Sequence, residues 1–426
     1  MSHASHLDLV GATRHRCQVA RSRTELAIVV SSAATFGALL ASYSVFKPVR
    51  DSLILDGDPD QIPWLFTGTL IATLALSPIW GALVKRGPRH VVPIAFHVFA
   101  LCAFGFAVVV RAGWSPVDVG HMFYLWASVF NLFVVSVFWS LLADLLGPGT
   151  ARKLYGPIAA GGTIGTIVGP LLTKGLVDLI GVAGVLVVSG LLLEVAVIGV
   201  VFVRRAARSL SIEDAGDPPV GGGAFDGLAQ VVRAPYLRSI VGYVLCTSCA
   251  ATFIYLAQSH IAKELLLTRD ARIDYFATVE LYVAIATLVL QLIVATPLIG
   301  LIGPGLVLCI LPVVQVTGLI TLVTVPSLAA LTVVLVVGKA STHGLTRPAR
   351  ELLFTVISRE DKYRAKNAID TVGYRFGDFT ASWLGKGLAA AAGGALVAGV
   401  AVIGVGWVAL AFVLGAGFRA RTKETP

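Results

Sequence analysis

Apolar residues in this chain run in long blocks, unlike the short alternations of strands or the one-faced stripes of soluble helices. Twelve blocks are long enough to cross a bilayer as a helix of about 20 residues. They lie at 26–50, 63–84, 91–111, 119–146, 156–175 and 183–203, then at 239–260, 274–298, 302–323, 328–350, 366–390 and 394–418. The one long polar interruption, 204–238, separates the sixth block from the seventh and carries Asp217-Pro218-Pro219 and Gly221-Gly222-Gly223 in its middle. The pattern predicts an all-α polytopic membrane protein with an N-terminal six-helix half and basic tail over 1–203, a linker over 204–238 and a second six-helix half over 239–426.

Composition agrees: 56% hydrophobic and 13% charged residues, with mean hydropathy +0.85, exclude a soluble globular chain of this length. The formal net charge of +9 would suggest nucleic acid in a soluble domain. Here the basic residues gather in the tail (Arg14, Arg16, Arg21, Arg23) and in alternate loops (Lys85, Arg86, Arg89; Arg152, Lys153; Arg204, Arg205; Arg347, Arg350; Arg419, Arg421). The positive-inside rule puts those loops, the linker and both termini in the cytoplasm, so the expected surroundings are a lipid bilayer, a bacterial inner membrane, with no nucleic-acid partner. The tail lacks the short apolar core and small-residue cleavage site of a secretory signal. Cys246-Thr-Ser-Cys249 has the spacing of a redox or zinc pair, but no second ligand pair accompanies it. No nucleophile–base pair, cofactor motif or phosphate-binding glycine loop is present either, so neither an enzyme nor a bound cofactor or metal is expected.

Polar residues inside the blocks carry the candidate chemistry, because a charge within hydrocarbon is costly unless it is paired or lines a wet cavity. Lys47-Pro48-Val49-Arg50-Asp51 ends the first block, and a helix continuing through Pro48 puts all three charges on one face. They either snorkel to headgroups or face a cavity; Arg50 is expected to hold substrate and Lys47 to lie nearer the interface. Further along stand Asn131, Gln258, Glu280, Lys339, His343, Asp370, Arg375 and Asp378. His343 follows Lys339 by one turn, with Thr346, Arg347 and Arg350 continuing roughly the same stripe, while Asp370, Tyr374 and Asp378 repeat at intervals of four. Lys339 and Asp370 are expected to pair, either permanently or in one conformation only. His343 is a proton-coupling group or a hydrogen-bonded core residue. Asp144, Arg152 and Lys153, around the Gly147-Pro148-Gly149 turn, are read as a gate. Trp126, Trp139 and Trp383 either stack on a substrate ring or pack the helices.

Two six-span halves joined by a cytoplasmic linker resemble the major facilitator superfamily. Gly81-Ala-Leu83-Val-Lys85-Arg86-Gly87-Pro88-Arg89 is a degenerate form of that superfamily's loop between spans two and three, with Lys85 where the acid stands. Gly156, Gly165, Gly169 and Pro170 follow the spacing of its antiporter glycine-proline pattern, without the final glycine pair. Physically, Gly161, Gly165 and Gly169 make a smooth helix face for close approach. A narrower resemblance, to the ATP/ADP translocases, rests on four segments in order. These are Val45-Phe46-Lys47-Pro48-Val49-Arg50-Asp51; Phe138-Trp139 with Ala151-Arg152-Lys153-Leu154-Tyr155-Gly156; Arg347-Pro348-Ala349-Arg350-Glu351; and Lys362 to Asp370. Ala127 and Asp378 depart from that pattern, standing where the nucleotide exchangers carry a glutamate and a lysine.

The resemblance implies that spans one, two, four, five, seven, eight, ten and eleven line a central cavity, which includes every candidate named above for binding or coupling. Glu194, on the sixth span, would instead lie near lipid, as a packing or linker-side residue. The reading is a secondary transporter that alternates access between its halves and moves a small organic anion by exchange or with protons. Adenine nucleotide exchange is the second reading, and a non-transporting membrane receptor or scaffold the third.

Overall fold

The computed structural model describes residues 3–85, 88–146, 148–208, 233–358, 366, 369–390 and 393–424; the middle of the 204–238 linker lies outside them. Every regular element among the described residues is helical. Eight continuous stretches are long and apolar enough to span a membrane, and two of these, Lys153–Ala207 and Arg269–Thr324, are long enough for two crossings each. Each of the two is broken at one glycine with left-handed backbone, Gly181 (φ 66°) and Gly303 (φ 77°), a conformation that residues with a β-carbon rarely adopt.

Divided there, and with the two remaining helices, the chain forms twelve spanning helices. The first half holds α1 (His3–Leu53), α2 (Ile62–Lys85), α3 (Pro88–Arg111), α4 (Pro116–Leu145), α5 (148–180) and α6 (182–207). The second holds α7 (Pro235–Leu265), α8 (269–302), α9 (304–324), α10 (328–353), α11 (369–390) and α12 (Gly393–Glu424). Helices overrun the sequence-derived spans at several ends, because a helix continues past the hydrocarbon wherever its end is not capped or broken. α1 runs straight through Pro48 to Leu53.

α1 packs against α5 along the glycine face. A β-carbon on Gly165 would meet the carbonyl oxygen of Gly37, one on Gly161 that of Ala33, and one on Gly169 would come within 2.8 Å of the Ala41 oxygen. Thr173 Oγ1 then donates to the Val45 carbonyl at 2.8 Å across the same contact. In lipid, where the hydrophobic effect does not drive helices together, such backbone-to-backbone approach is a main source of association. An aromatic cluster fills the first half: Trp126 lies against Phe46, Phe99, Phe106, Phe123 and Phe130, and Trp139 against Phe36, Phe138 and Tyr155. Trp126 and Trp139 therefore pack helices.

The halves meet through a smaller apolar plug at the end carrying the α1–α2 and α7–α8 turns. Ile54, Leu55, Ile62, Leu65, Phe66 and Tyr124 are buried there against Ala262 and Phe276 of the other half. Large apolar side chains on the outside of the bundle, such as Leu179, Leu191 and Val195 on α5 and α6, are exposed, as lipid-facing positions are in a membrane protein.

The α1–α5 contact makes a testable demand. Gly165→Leu must force the two backbones apart and is expected to lower stability by about 1–3 kcal/mol, whereas the same change at Gly156, whose β-carbon position has no neighbour within 4 Å, should leave the melting temperature of the purified protein nearly unchanged. Equal effects at the two positions would show that the glycine face does not hold α1 to α5.

Candidate functional site

Between the halves, one carboxylate ties three helices together. Glu280 of α8 accepts from Lys47 Nζ of α1 at 2.6 Å on one oxygen and from Lys339 Nζ of α10 at 2.7 Å on the other. Glu280 keeps 12% of its side chain accessible and Lys47 20%, so the group is largely withdrawn from solvent without being sealed. Lys47 lies deeper than expected from the sequence: because α1 continues to Leu53, it stands nearly two turns inside the helix end and reaches across to the other half. Lys339 is held by Glu280 where a pairing with Asp370 was expected; Asp370 lies in the turn that opens α11, and its side chain is outside the described residues.

One turn along α1, the Arg50 guanidinium holds its neighbour Asp51 through Nε at 2.9 Å and Nη2 at 2.6 Å, and stands 5.3 Å from the Tyr124 ring centre. Asp51 is buried and also accepts from Tyr255 Oη of α7 at 3.3 Å. On α11, Arg375 Nη1 stands 3.5 Å from Asp378 Oδ2, whose other oxygen accepts from Thr252 at 3.1 Å and from Ser248. Gln258 is buried on α7, and its Oε1 has no hydrogen-bond partner. Asn131 on α4 and His343 on α10 are exposed.

Three π-helical turns shape the second half, at Leu290–Ala295 in α8, Thr342–Thr346 in α10 and Ile369–Gly373 in α11. The first two lie side by side: Gln291 Nε2 donates to the His343 carbonyl at 3.2 Å, and a β-carbon on Gly344 would come within 2.7 Å of Leu290. Such turns are rare and recur at functional positions, since each shifts the helix register and loosens a main-chain carbonyl.

At the α1–α2 end, a second set of charges joins the halves. Asp56 binds Arg269 Nη2 at 2.7 Å and Arg272 Nη2 at 2.9 Å, Lys263 Nζ donates to the Gly57 carbonyl at 2.6 Å, and Lys174 binds Asp274 at 3.0 Å. Trp383 Nε1 donates to Thr67 at 3.0 Å while its ring meets Trp64 edge to face, so Trp383 is a contact between the halves. The sequence analysis left this pairing of Asp56 with Arg269 and Arg272 unremarked. The available signal was opposite charge in two turns at the same end, Asp56-Gly-Asp58 against Arg269-Asp-Ala-Arg272. The proposed gate residues lie at the other end: Asp144 and Lys153 are exposed near the α4–α5 turn, and the Arg152 side chain is outside the described residues. Glu194 sits on α6 with its Oε1 2.7 Å from His97 Nδ1 of α3, away from the central charges.

A family model described as Major Facilitator Superfamily matches residues 26–349. The chain belongs to the major facilitator superfamily. Its function is accordingly membrane transport rather than catalysis, and it is a multi-pass integral membrane protein whose bilayer-embedded core takes a small-molecule substrate. Among solved structures, this superfamily member is similar to the nucleoside transporter NupG, with TM-score 0.61 and 14% identity over 94% of this chain and 99% of that one. It is likewise similar to a bacterial homologue of the iron transporter ferroportin in an inward-facing state, with TM-score 0.60 and 15% identity over 93% and 98%. At these identities the likeness concerns the fold. No curated protein matches it in sequence.

The Asp56 cluster and the apolar plug hold the two halves together at the α1–α2 end. Asp56→Ala strands Arg272, which is 7% exposed, and should weaken that closure by about 3 kcal/mol, as removal of one partner from a buried ion pair does. A cysteine replacing the buried Leu55 in a cysteine-free background should then react faster with a membrane-impermeant maleimide. Unchanged labelling would mean that the apolar plug closes this end without help from the charges.

Proposed function

We propose that this transporter carries a small organic anion by alternating access of its two halves, by exchange or together with a cation. In this reading it lies in a bacterial inner membrane, with both termini and the linker over 204–238 on the cytoplasmic side. The closed α1–α2 end then faces outward.

The observation that carries the reading is Glu280 bridging Lys47 and Lys339. Around it, among the described side chains, four cations, Lys47, Arg50, Lys339 and Arg375, pair with three acids, Asp51, Glu280 and Asp378. A carboxylate or phosphate group can replace Glu280 on the lysines, and Arg50 can add a two-pronged contact. Because Lys47 belongs to one half and Glu280 with Lys339 to the other, exchanging the anion between them changes how the halves are tied. An anion that binds one arrangement better shifts the equilibrium by that difference in affinity.

Adenine nucleotide exchange is the second reading, favoured by the four segments shared with the ATP/ADP translocases. Against it stand the acids paired with each of the four cations, since a nucleoside triphosphate needs several uncommitted cations with phosphate geometry.

Ligand-induced stabilisation of the purified protein tests both readings, because a ligand at 100 times its dissociation constant adds about 2.7 kcal/mol. Carboxylates or sugar phosphates should raise the melting temperature, and nucleotides doing so alone would favour the second reading. Arg50→Ala is expected to abolish uptake of the stabilising anion into proteoliposomes with insertion intact; wild-type uptake would remove Arg50 from the site. Glu280→Gln frees two ammonium groups and is expected to tighten anion binding while slowing turnover; weakened binding would show that Glu280 only positions the lysines. Gly222→Cys should be unreactive towards maleimide applied from outside, and labelling there would overturn the orientation.

A further inference from the structure

The pair of His97 on α3 and Glu194 on α6 does not turn to the seam. Nδ1 and Oε1 stand 2.7 Å apart, with 55% and 29% of the two side chains accessible. Both lie on the outside of the bundle. Ile94 and Leu101, one turn to either side of His97, are exposed together with its neighbour Val98, and so are Leu191 and Ile198 around Glu194 together with Val195. Such an apolar surface is what a span shows to lipid. At 1.5 Å per residue from the block ends at 91 and 203, His97 is about 9 Å and Glu194 about 14 Å inside a core about 30 Å thick. Neither side chain is long enough to reach headgroups from there. Within the chain the pair is also incomplete, since Glu194 Oε1, although close to the imidazole, accepts no hydrogen bond. Polar groups left so in hydrocarbon are costly, and such residues ordinarily face protein or a wet cavity.

We propose that the α3–α6 face is the interface of a homodimer, in which a two-fold axis along the membrane normal sets His97 and Glu194 of one copy against Glu194 and His97 of the other. Charge complementarity selects this occupant. Rotation about the normal keeps every residue at its depth, and the acid and the imidazole already touch, so half a turn brings each to its opposite. A second copy therefore supplies both complementary groups at the right depth by symmetry, whereas a different subunit would need both in its own sequence. The apolar residues around the pair do not drive association in lipid; packing and polar contacts between helices do. Room for approach exists on the same face, because Gly105, one turn beyond Leu101, has nothing within 4 Å of its β-carbon position. The contact leaves the charges on α1, α8, α10 and α11 untouched, and it does not depend on the transport reading above.

The test counts copies of the full chain, labelled at its C-terminus, by single-molecule photobleaching in proteoliposomes over a range of protein-to-lipid ratios. Wild type is expected to bleach in two steps even where chance co-occupancy of a vesicle is rare. Combining His97→Leu with Glu194→Leu should raise the dimer dissociation constant roughly tenfold, the scale of two polar contacts between helices in lipid, and leave the melting temperature of the purified protein unchanged. Val98→Cys in a cysteine-free background should join to its copy through a short bismaleimide, while Leu292→Cys, exposed on α8 of the other half, should not. One-step bleaching at every ratio would overturn the dimer, and so would equal crosslinking at the two positions. Wild-type dimerisation of the leucine variant with a lowered melting temperature would show instead that the pair only staples α3 to α6. Should that variant fail to insert, Glu194→Gln is read in the same way.

Discussion

A charge in hydrocarbon has to be answered by another charge, and that constraint organises this molecule more than any single contact does. Lys47, Arg50, Asp51, Glu280, Lys339, Arg375 and Asp378 would each be costly on the lipid-facing surface. The fold turns all of them towards the seam between its halves, where each finds a partner at 3.5 Å or less. Two of those ties differ in kind from the rest. Arg50–Asp51 and Arg375–Asp378 are closed within one helix, so they move with their half, whereas Lys47–Glu280 crosses from one half to the other. A crossing tie is the kind that a relative movement of the halves would change, and in the anion reading proposed above Glu280 is where binding and such a movement would coincide.

The closed end obeys the same logic in wetter surroundings. Asp56 answers two arginines from the other half, and beneath it Ile54, Leu55 and Phe66 form a dry layer against Ala262 and Phe276. The apolar layer excludes water along the path, and the charges fix which surfaces meet. The two contribute differently: apolar contact between helices has little direction, and exposed ion pairs contribute about 1 kcal/mol or less. Arg272 and Asp56 escape that limit because both are largely buried.

Much of the fold was legible in the sequence because its signals are local. Block length and the polar stretch between the sixth and seventh blocks correspond to twelve helices in two halves, and Gly161, Gly165 and Gly169 at intervals of four form the face that α1 packs on. Pairings between distant helices were legible as types and not as partners. Lys339 needed an acid, and both Glu280 and Asp370 were on offer; the choice depends on how α8, α10 and α11 are rotated about their axes, which hydropathy does not encode. The depth of Lys47 was misjudged for a related reason, since the apolar block ends at residue 50 while α1 runs on to Leu53. The oxygens of Ser248 and Thr252 carried no signal, being ordinary residues for a membrane helix until α11 brings Asp378 to them.

The π-helical turn in α10 explains how one helix serves two partners. Lys339 and Arg350 are eleven residues apart, which in an unbroken α-helix of 3.6 residues per turn is close to three whole turns. The two cations would then share a stripe, as their spacing suggested, about 16 Å apart along the axis. The turn at Thr342–Thr346 closes its hydrogen bonds over a longer loop and uses more residues for one revolution. Arg350 is thereby rotated off the stripe. Lys339 faces Glu280 on α8, while Arg350 is buried with Nη1 2.8 Å from Tyr374 Oη and its guanidinium over the same ring on α11. Since Tyr374 is also the residue whose carbonyl meets Ser248, the rotation links α10 to the start of α11 and to the hydroxyl groups bonded to Asp378. A straight α10 would leave Arg350 on the side that Lys339 presents to Glu280, turned away from Tyr374.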